Sequence, residues 1–222
     1  MNGLTMLWDN LDVFALGLQN TLILFCVSSV CAFLLACVIA FLLEGRDNNV
    51  TGKLIRGAMD LMRMLPFLIF LYLLYYGLPN VGIRLDVWSA GFLALITYHA
   101  AYFAEILRAA RTSLPAGQAE AAYAHGFVNS KMYWRILLPQ MVMRSGPLFG
   151  NQLVCLLKDT AFLSIITLMD LTAAASAVQA KYFVPLPPFV FVIALYWSIT
   201  LLVEALLRRL GRRAQKRGLV HE

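Results

Sequence analysis

Lys158 and Asp159 stand side by side inside an otherwise apolar stretch that runs from Ser145 to Met169. A charge at the centre of a bilayer costs about 2.5–3.5 kcal/mol on insertion scales, so residues of this kind face a cavity or a partner group. Neighbours on an α-helix point about 100° apart, so these two cannot simply pair with each other, and each needs a partner of its own. One reading puts at least one of them in a polar cavity, lined also by Asn151, Gln152 and Thr160. There Asp159 meets an ammonium group and Lys158 a carboxylate, the two signs that a zwitterion requires. The other reading makes them interhelical ion pairs that fix helix packing, with Glu105 a candidate partner.

The elements that must hold these charges follow from composition. Hydrophobic residues make up 61% of the chain and charged residues 14%, with a mean hydropathy of +0.74. That balance excludes an ordinary soluble domain. Charge-free runs extend over Val13–Leu43, Met64–Ile83, Val87–Ala104 and Tyr182–Val203. Each is near or above the roughly 18–20 residues that carry a helix across hydrocarbon. The halves on either side of Lys158-Asp159 are too short to span alone, so Ser145–Met169 is one span with two ionisable residues inside it. The pattern predicts an all-α integral membrane protein of five helices, near Gly17–Leu43, Met62–Tyr76, Trp88–Ile106, Pro147–Met169 and Pro188–Leu207. One membrane domain, residues 1–222, accounts for the chain.

Lys and Arg are retained in cytoplasmic connections. Arg46, Lys53, Arg56 and Arg63 surround the first connection, and Arg108, Arg111, Lys131, Arg135 and Arg144 fall in the third. The tail adds Arg208, Arg209, Arg212, Arg213, Lys216 and Arg217, against only Arg84 and Lys181 on the other side. The amino terminus is therefore expected outside and the carboxyl terminus in the cytoplasm. The net charge of +6 is mostly this asymmetry, which suits anionic lipid heads and not nucleic acid. Met1–Asp12 lacks a basic n-region, so the first helix is expected to stay in the membrane. Cys26, Cys31, Cys37 and Cys155 lie in spans without metal-ligand spacing, and His99 and His125 likewise lack it. Glu105 and Arg108, three apart, form a local pair by default and a gate at the inner mouth by the alternative. Gly146 and Gly150 permit close helix approach, or Gly146-Pro147 simply marks a helix entry.

The polar connection of about 109–145 carries Glu120-Ala121-Ala122, Gly126 and Ile136-Leu137-Leu138-Pro139. Pro115 suits the first turn of a helix, Gln118–Ala124 are mostly good helix formers, and Gly126 sits where a helix commonly ends in the left-handed conformation. A second helix is expected to start near Asn129 or Ser130 and stop at Pro139. Two short helices joined at a glycine turn make a compact knob. It either fits a groove on a partner or lies as an amphipathic hairpin on the membrane.

These residues, in order along nearly the whole chain, resemble the permease of polar amino-acid ABC importers. Gly17-Leu18-Gln19-Asn20-Thr21 is similar to the family's opening of its first helix, and Pro66 with Tyr75-Tyr76-Gly77-Leu78-Pro79 to its second. Ala101-Tyr102-Phe103-Ala104-Glu105 with Arg108 matches the third, and Gly150-Asn151 with Leu156-Leu157-Lys158-Asp159-Thr160 the fourth. Glu120, Ala121, Ala122, Gly126, Leu138 and Pro139 match its cytoplasmic coupling loop. Departures are Arg63-Met64-Leu65-Pro66 for a usual Arg-Gly-Thr-Pro, Gln152 for Glu, Ala161 for Ser and Ala109 for Gly. The resemblance implies the five-helix core of a type I importer in a bacterial inner membrane. It implies two ATP-binding subunits, a second permease, identical or homologous, and an extracytoplasmic amino-acid-binding protein. No cofactor is expected on this chain, with ATP and Mg held by the ATPase. The chain has no Gly-x-Ser-x-Gly or His-Glu-x-x-His, and Gly45 to Lys53 lacks phosphate-loop spacing, so catalysis is not expected here. The competing class is a channel subunit or an ion-coupled secondary transporter, against which the lack of an inverted repeat counts. A small assembly protein of the membrane is the third.

Overall fold

The computed structural model describes residues 3–45 and 49–216 of the 222. Met1, Arg46 and Arg217, used in the readings above, lie outside the described residues, as do the side chains of Arg212, Arg213 and Lys216. The described elements are helical throughout: α1 (Gly3–Trp8), α2 (Leu11–Leu43), α3 (Val50–Met64), α4 (Phe67–Tyr72), α5 (Val87–Thr112), α6 (Ala116–Ala124), α7 (Asn129–Met132), α8 (Leu138–Arg144), α9 (Gly146–Asp159), α10 (Leu171–Tyr182) and α11 (Leu186–Lys216).

Among the described residues four helices are long and apolar enough to cross a bilayer: Leu11–Leu43, Val87–Thr112, Gly146–Ile166 and Leu186–Arg209. Val50–Met64 and Phe67–Val81 pass the same test only when taken together, as a pair bent sharply at a short break, which makes four or five candidate spans. This corrects the expectation of a continuous helix over Met62–Tyr76. Pro66 is extended, at φ −64° and ψ 133°, and its ring disfavours helical backbone at Leu65, so α3 stops there and α4 starts afresh.

Two Leu-Pro pairs show how a helix passes a proline. A π-helical turn, Leu73–Gly77, runs into the 3₁₀ turn Leu78–Val81, and a second π turn, Tyr133–Leu137, runs into α8, with proline in the first two positions each time. Proline lacks an N–H and its ring collides with the carbonyl four residues back in an α-helix. The wider π turn relieves both problems, so the helix expected to stop at Pro139 continues to Arg144.

Within the described residues the chain forms two compact units. One comprises residues 3–30, 65–97 and 153–202, the other 31–45, 49–64, 98–152 and 203–216. The first is built on Met6, Phe14, Leu171, Ala174, Ala175, Val178 and Val192, with Phe14 edge-on to Phe191 at 4.9 Å. In the same unit the Gly17–Thr21 segment grips the turn before α10. A Cβ on Gly17 would lie 2.8 Å from the Asp170 carbonyl oxygen. Asn20 Nδ2 donates to the Met169 carbonyl at 2.8 Å, and Thr21 Oγ1 accepts the Leu171 N–H at 3.1 Å. The segment is thus a structural latch. In the second unit Phe33, Phe103 and Phe149 pack as a trio, with centroids 5.4 Å apart for Phe33 and Phe149 and 5.6 Å for Phe103 and Phe149.

Asp170 caps α10, its carboxylate accepting the Ala173 N–H at 2.7 Å, and it is fully buried with Oδ2 unbonded. Burial pushes its pKa up from 3.8 to about 7, only partly offset by the Ala173 N–H. The fold therefore favours the protonated acid. Its contribution to stability is fully present below about pH 4 and is lost as pH rises through about 7. Asp170→Asn keeps the cap acceptor and cannot titrate. The difference in melting temperature between wild type and this variant, measured in detergent, is expected to change across that interval; a constant difference would contradict it.

Candidate functional site

The connection between α5 and α9 folds as two helices around a glycine turn, as the residues predict. Pro115, extended at ψ 133°, precedes α6, which ends in a paired C-terminal motif. The Phe127 N–H bonds to Ala122 O at 3.0 Å and the Gly126 N–H to Tyr123 O at 2.9 Å, with Gly126 at φ +79°. Val128 is the N-cap residue of α7, so Asn129 and Ser130 fall inside the helix, one and two positions later than expected of caps. The Asn129 side chain instead accepts the Tyr123 hydroxyl at 2.7 Å, tying α6 to α7.

The knob has one face in and one face out. Ala122, Met132, Tyr133, Leu137 and Met141 are buried. Glu120, Ala121, Gly126 and Pro139 are exposed and Leu138 is half-buried. Beside Glu120 and Gly126, the large side chains of Tyr123, Val128 and Trp134 also face outward. A carboxylate among exposed aromatic and aliphatic groups on a rigid hairpin is suited to entering a groove on another protein.

The base of the connection is held by charge. Glu105 accepts two bonds from Arg108, at 2.6 and 2.8 Å, and Arg63 lies 3.4 Å away. Arg63 also sits 5.9 Å over the Tyr102 ring, while the Tyr102 hydroxyl donates to the Arg63 carbonyl at 3.1 Å. Glu105 is thus engaged by two arginines. Arg111 grips Glu44 with three bonds of 2.8–3.0 Å, and Arg144 donates to the Ser113 carbonyl at 3.3 Å.

Of the residues expected around Lys158, the fold separates two groups. Asn151 and Lys158 are exposed and lie seven apart on α9, two turns along one face. Asp159, half-buried, is the last residue of α9, after which the chain narrows to a 3₁₀ helix over Thr160–Ile166. Gln152 and Thr160 are buried, the first bonded to a distant residue and the second to its own turn. The Thr160 hydroxyl donates to Leu157 O at 2.7 Å, and Gln152 Nε2 lies 2.8 Å from His99 Nδ1. His99 is fully buried. The His99–Gln152 pair was not anticipated, though two polar side chains in apolar spans signal a need for partners. Gly150 is the close-approach glycine, where a Cβ would lie 3.1 Å from Leu207 Cδ1, and Gly146 opens α9. No group of three or more metal-ligating side chains occurs among the described residues.

With that geometry in hand, the similarities are decisive. The family model for the binding-protein-dependent transport system inner membrane component matches residues 32–216. The chain belongs to that family. It is 30% identical over 212 residues to the probable glutamine ABC transporter permease protein GlnM of Bacillus subtilis (strain 168), covering 96% of this chain and 98% of that one. It is 32% identical over 147 residues to the arginine ABC transporter permease protein ArtQ of Escherichia coli (strain K12), covering 63% and 62%. Among solved structures, the crystal structure of an amino acid ABC transporter with histidines superposes with a TM-score of 0.84 at 28% identity, over 96% of this chain and 99% of that one. An inward-facing MetNI methionine ABC transporter superposes at 0.77 and 19% identity, over 95% and 98%, a likeness of fold. The permease is thus a non-catalytic, multi-pass membrane subunit of an ABC transporter, and a separate ATPase hydrolyses ATP.

Proposed function

We propose that this permease carries polar amino acids inward, basic amino acids and opine-like derivatives included, and that its α6–α8 hairpin receives the stroke of the ATPase. The observation that carries the reading is the hairpin itself: Glu120 and Gly126 exposed on a knob whose other face is buried, at the motif spacing of coupling loops. Relatives named for glutamine, arginine, nopaline and octopine support the substrate class. The excess of Lys and Arg supports an amino terminus outside and the hairpin in the cytoplasm.

On this reading two ATP-binding subunits sit beneath two permeases in a bacterial inner membrane, with nucleotide and magnesium on the ATPases and a binding protein outside. Closure of the ATPases pushes the hairpins together and opens the pathway outward. The binding protein then delivers solute, and hydrolysis restores the inward state. Lys158 and Asp159, with Asn151 on the face of Lys158, meet the two charged ends of the solute. Glu105 with its arginines stands at the inner mouth.

Gentle solubilisation of the tagged chain from its host, followed by mass spectrometry, tests the assembly. A stoichiometric ATPase is expected, with or without a second permease, and recovery of the chain alone would overturn the reading. In the assembled complex, Asp159→Asn and Lys158→Met are each expected to weaken uptake affinity tenfold or more, about 1.4 kcal/mol or above. Unchanged affinity and rate in both would remove the two residues from the pathway.

A further inference from the structure

We propose that Tyr133 is a positioning residue that fastens the hairpin in mid-course to the first span, so that movement of the hairpin is delivered to α2. The inference rests on the coupling role proposed above. Tyr133 is fully buried, and its hydroxyl donates to the main-chain carbonyl of Cys37 at 3.0 Å. Its ring lies 5.2 Å from that of Phe41. Positions 37 and 41 are four apart, so both contacts fall on one face of α2, on successive turns. A carbonyl inside a helix already accepts one N–H but keeps a second lone pair, so the bond to Tyr133 breaks nothing in α2. Burial raises the phenol well above its ordinary value, which keeps the hydroxyl a donor.

The local backbone fits the same role. Tyr133 opens the π turn Tyr133–Leu137, a feature that recurs at functional sites, and Leu137 and Met141 follow it at four-residue steps on the buried side. Trp134, next in sequence, remains exposed while its ring stays 6.0 Å from Phe41. One turn of the hairpin therefore presents a side chain outward and anchors its neighbour inward. The bonds of Arg111 to Glu44 make a second fastening, between the last turn of α5 and the residue that follows α2. A hairpin held at its ends alone can swing without moving α2. One pinned also at Tyr133 cannot.

Tyr133→Phe removes the hydroxyl and keeps the buried ring, so the fold is retained. The test uses the whole complex of permease, ATPase and binding protein in lipid nanodiscs, with the binding protein as purified, and reads the ratio of binding-protein-stimulated to basal ATP hydrolysis. That ratio reports transmission through the membrane, which a purely structural contact would leave alone. It is expected to fall about fivefold, the worth of one net hydrogen bond. Glu44→Gln, which weakens the second fastening, is expected to lower it as well. An unchanged ratio in Tyr133→Phe overturns the inference, as does loss of ATPase from that variant alone, which would make Tyr133 a docking residue. Wild-type protein that binds no ATPase would overturn the coupling reading itself, and the inference with it.

Discussion

Gly126→Leu is expected to abolish uptake while the permease is inserted at normal levels and keeps its melting temperature within a few degrees. Nothing lies within 4 Å of a Cβ built on Gly126, so the new side chain meets no wall. The difficulty is conformational. Gly126 holds φ +79°, where a residue with a β-carbon is destabilised by roughly 1–2 kcal/mol. That is too little to unfold a domain and enough to open the turn that bonds Gly126 to Tyr123 and Phe127 to Ala122. Once the turn opens, α6 and α7 no longer form one body, and an ATPase pushing on Glu120 would deform the hairpin instead of displacing it. Uptake assayed in whole cells, alongside quantification of the protein in membranes and of co-purifying ATPase, checks this. Wild-type uptake by the variant would remove Gly126 from the coupling element.

Gly17→Val has the larger expected effect on stability. Its Cβ alone would come within 2.8 Å of the Asp170 main-chain oxygen and 3.0 Å of Ala174 Cβ. Neither neighbour is the flexible end of a long side chain, so α2 or the turn before α10 must shift. Overpacking of this kind costs about 1–3 kcal/mol, and here it also strains the bonds made by Asn20 and Thr21 to that turn. The melting temperature in detergent is expected to fall by several degrees, with less protein recovered from the membrane. An unaltered melting curve would show that the close approach of Gly17 to Asp170 is not maintained in the membrane. A milder change at Gly77, where the nearest contact is Leu73 Cδ2 at 3.9 Å, is the natural control.

How much of this was legible in the sequence depends on how local the cause was. Hydropathy and length specify a spanning helix within its own twenty residues, which is why the spans around Gly17–Leu43, Trp88–Ile106, Pro147–Met169 and Pro188–Leu207 match the helices. The glycine turn at 126 is equally local, because its conformation excludes most other residues. The break at Leu65-Pro66 was also local, and the proline rule predicts it. The apolar run across Met64–Ile83 obscured it, because hydropathy does not register where backbone bonds end. The π turns were hidden for a different reason: whether a helix widens to pass a proline or stops there depends on what holds the far side, and only the burial of Leu137 and Met141 decides it. Gln152 and Thr160 are polar by type, but the way such a side chain turns is set by neighbours such as His99, which lie far off in the sequence. Asp170 escaped notice although an acidic residue just before a helix is a recognised cap signal. It stands between Met169 and Leu171, where the apolar run masks the start of a helix.

A π turn is an α-helix carrying one extra residue, and this has a consequence for how the hairpin can change over time. Deleting one residue between Tyr133 and Leu137 would restore regular α geometry there and leave everything after it facing much as it does now. Met141 would stay on the buried side, but Pro139 would meet a carbonyl it now avoids. The extra residue therefore answers to the proline: with Pro139 in place the hairpin needs the wider turn, and without it the turn could close. The π turn and Pro139 form a matched pair, and a change that removes one removes the need for the other.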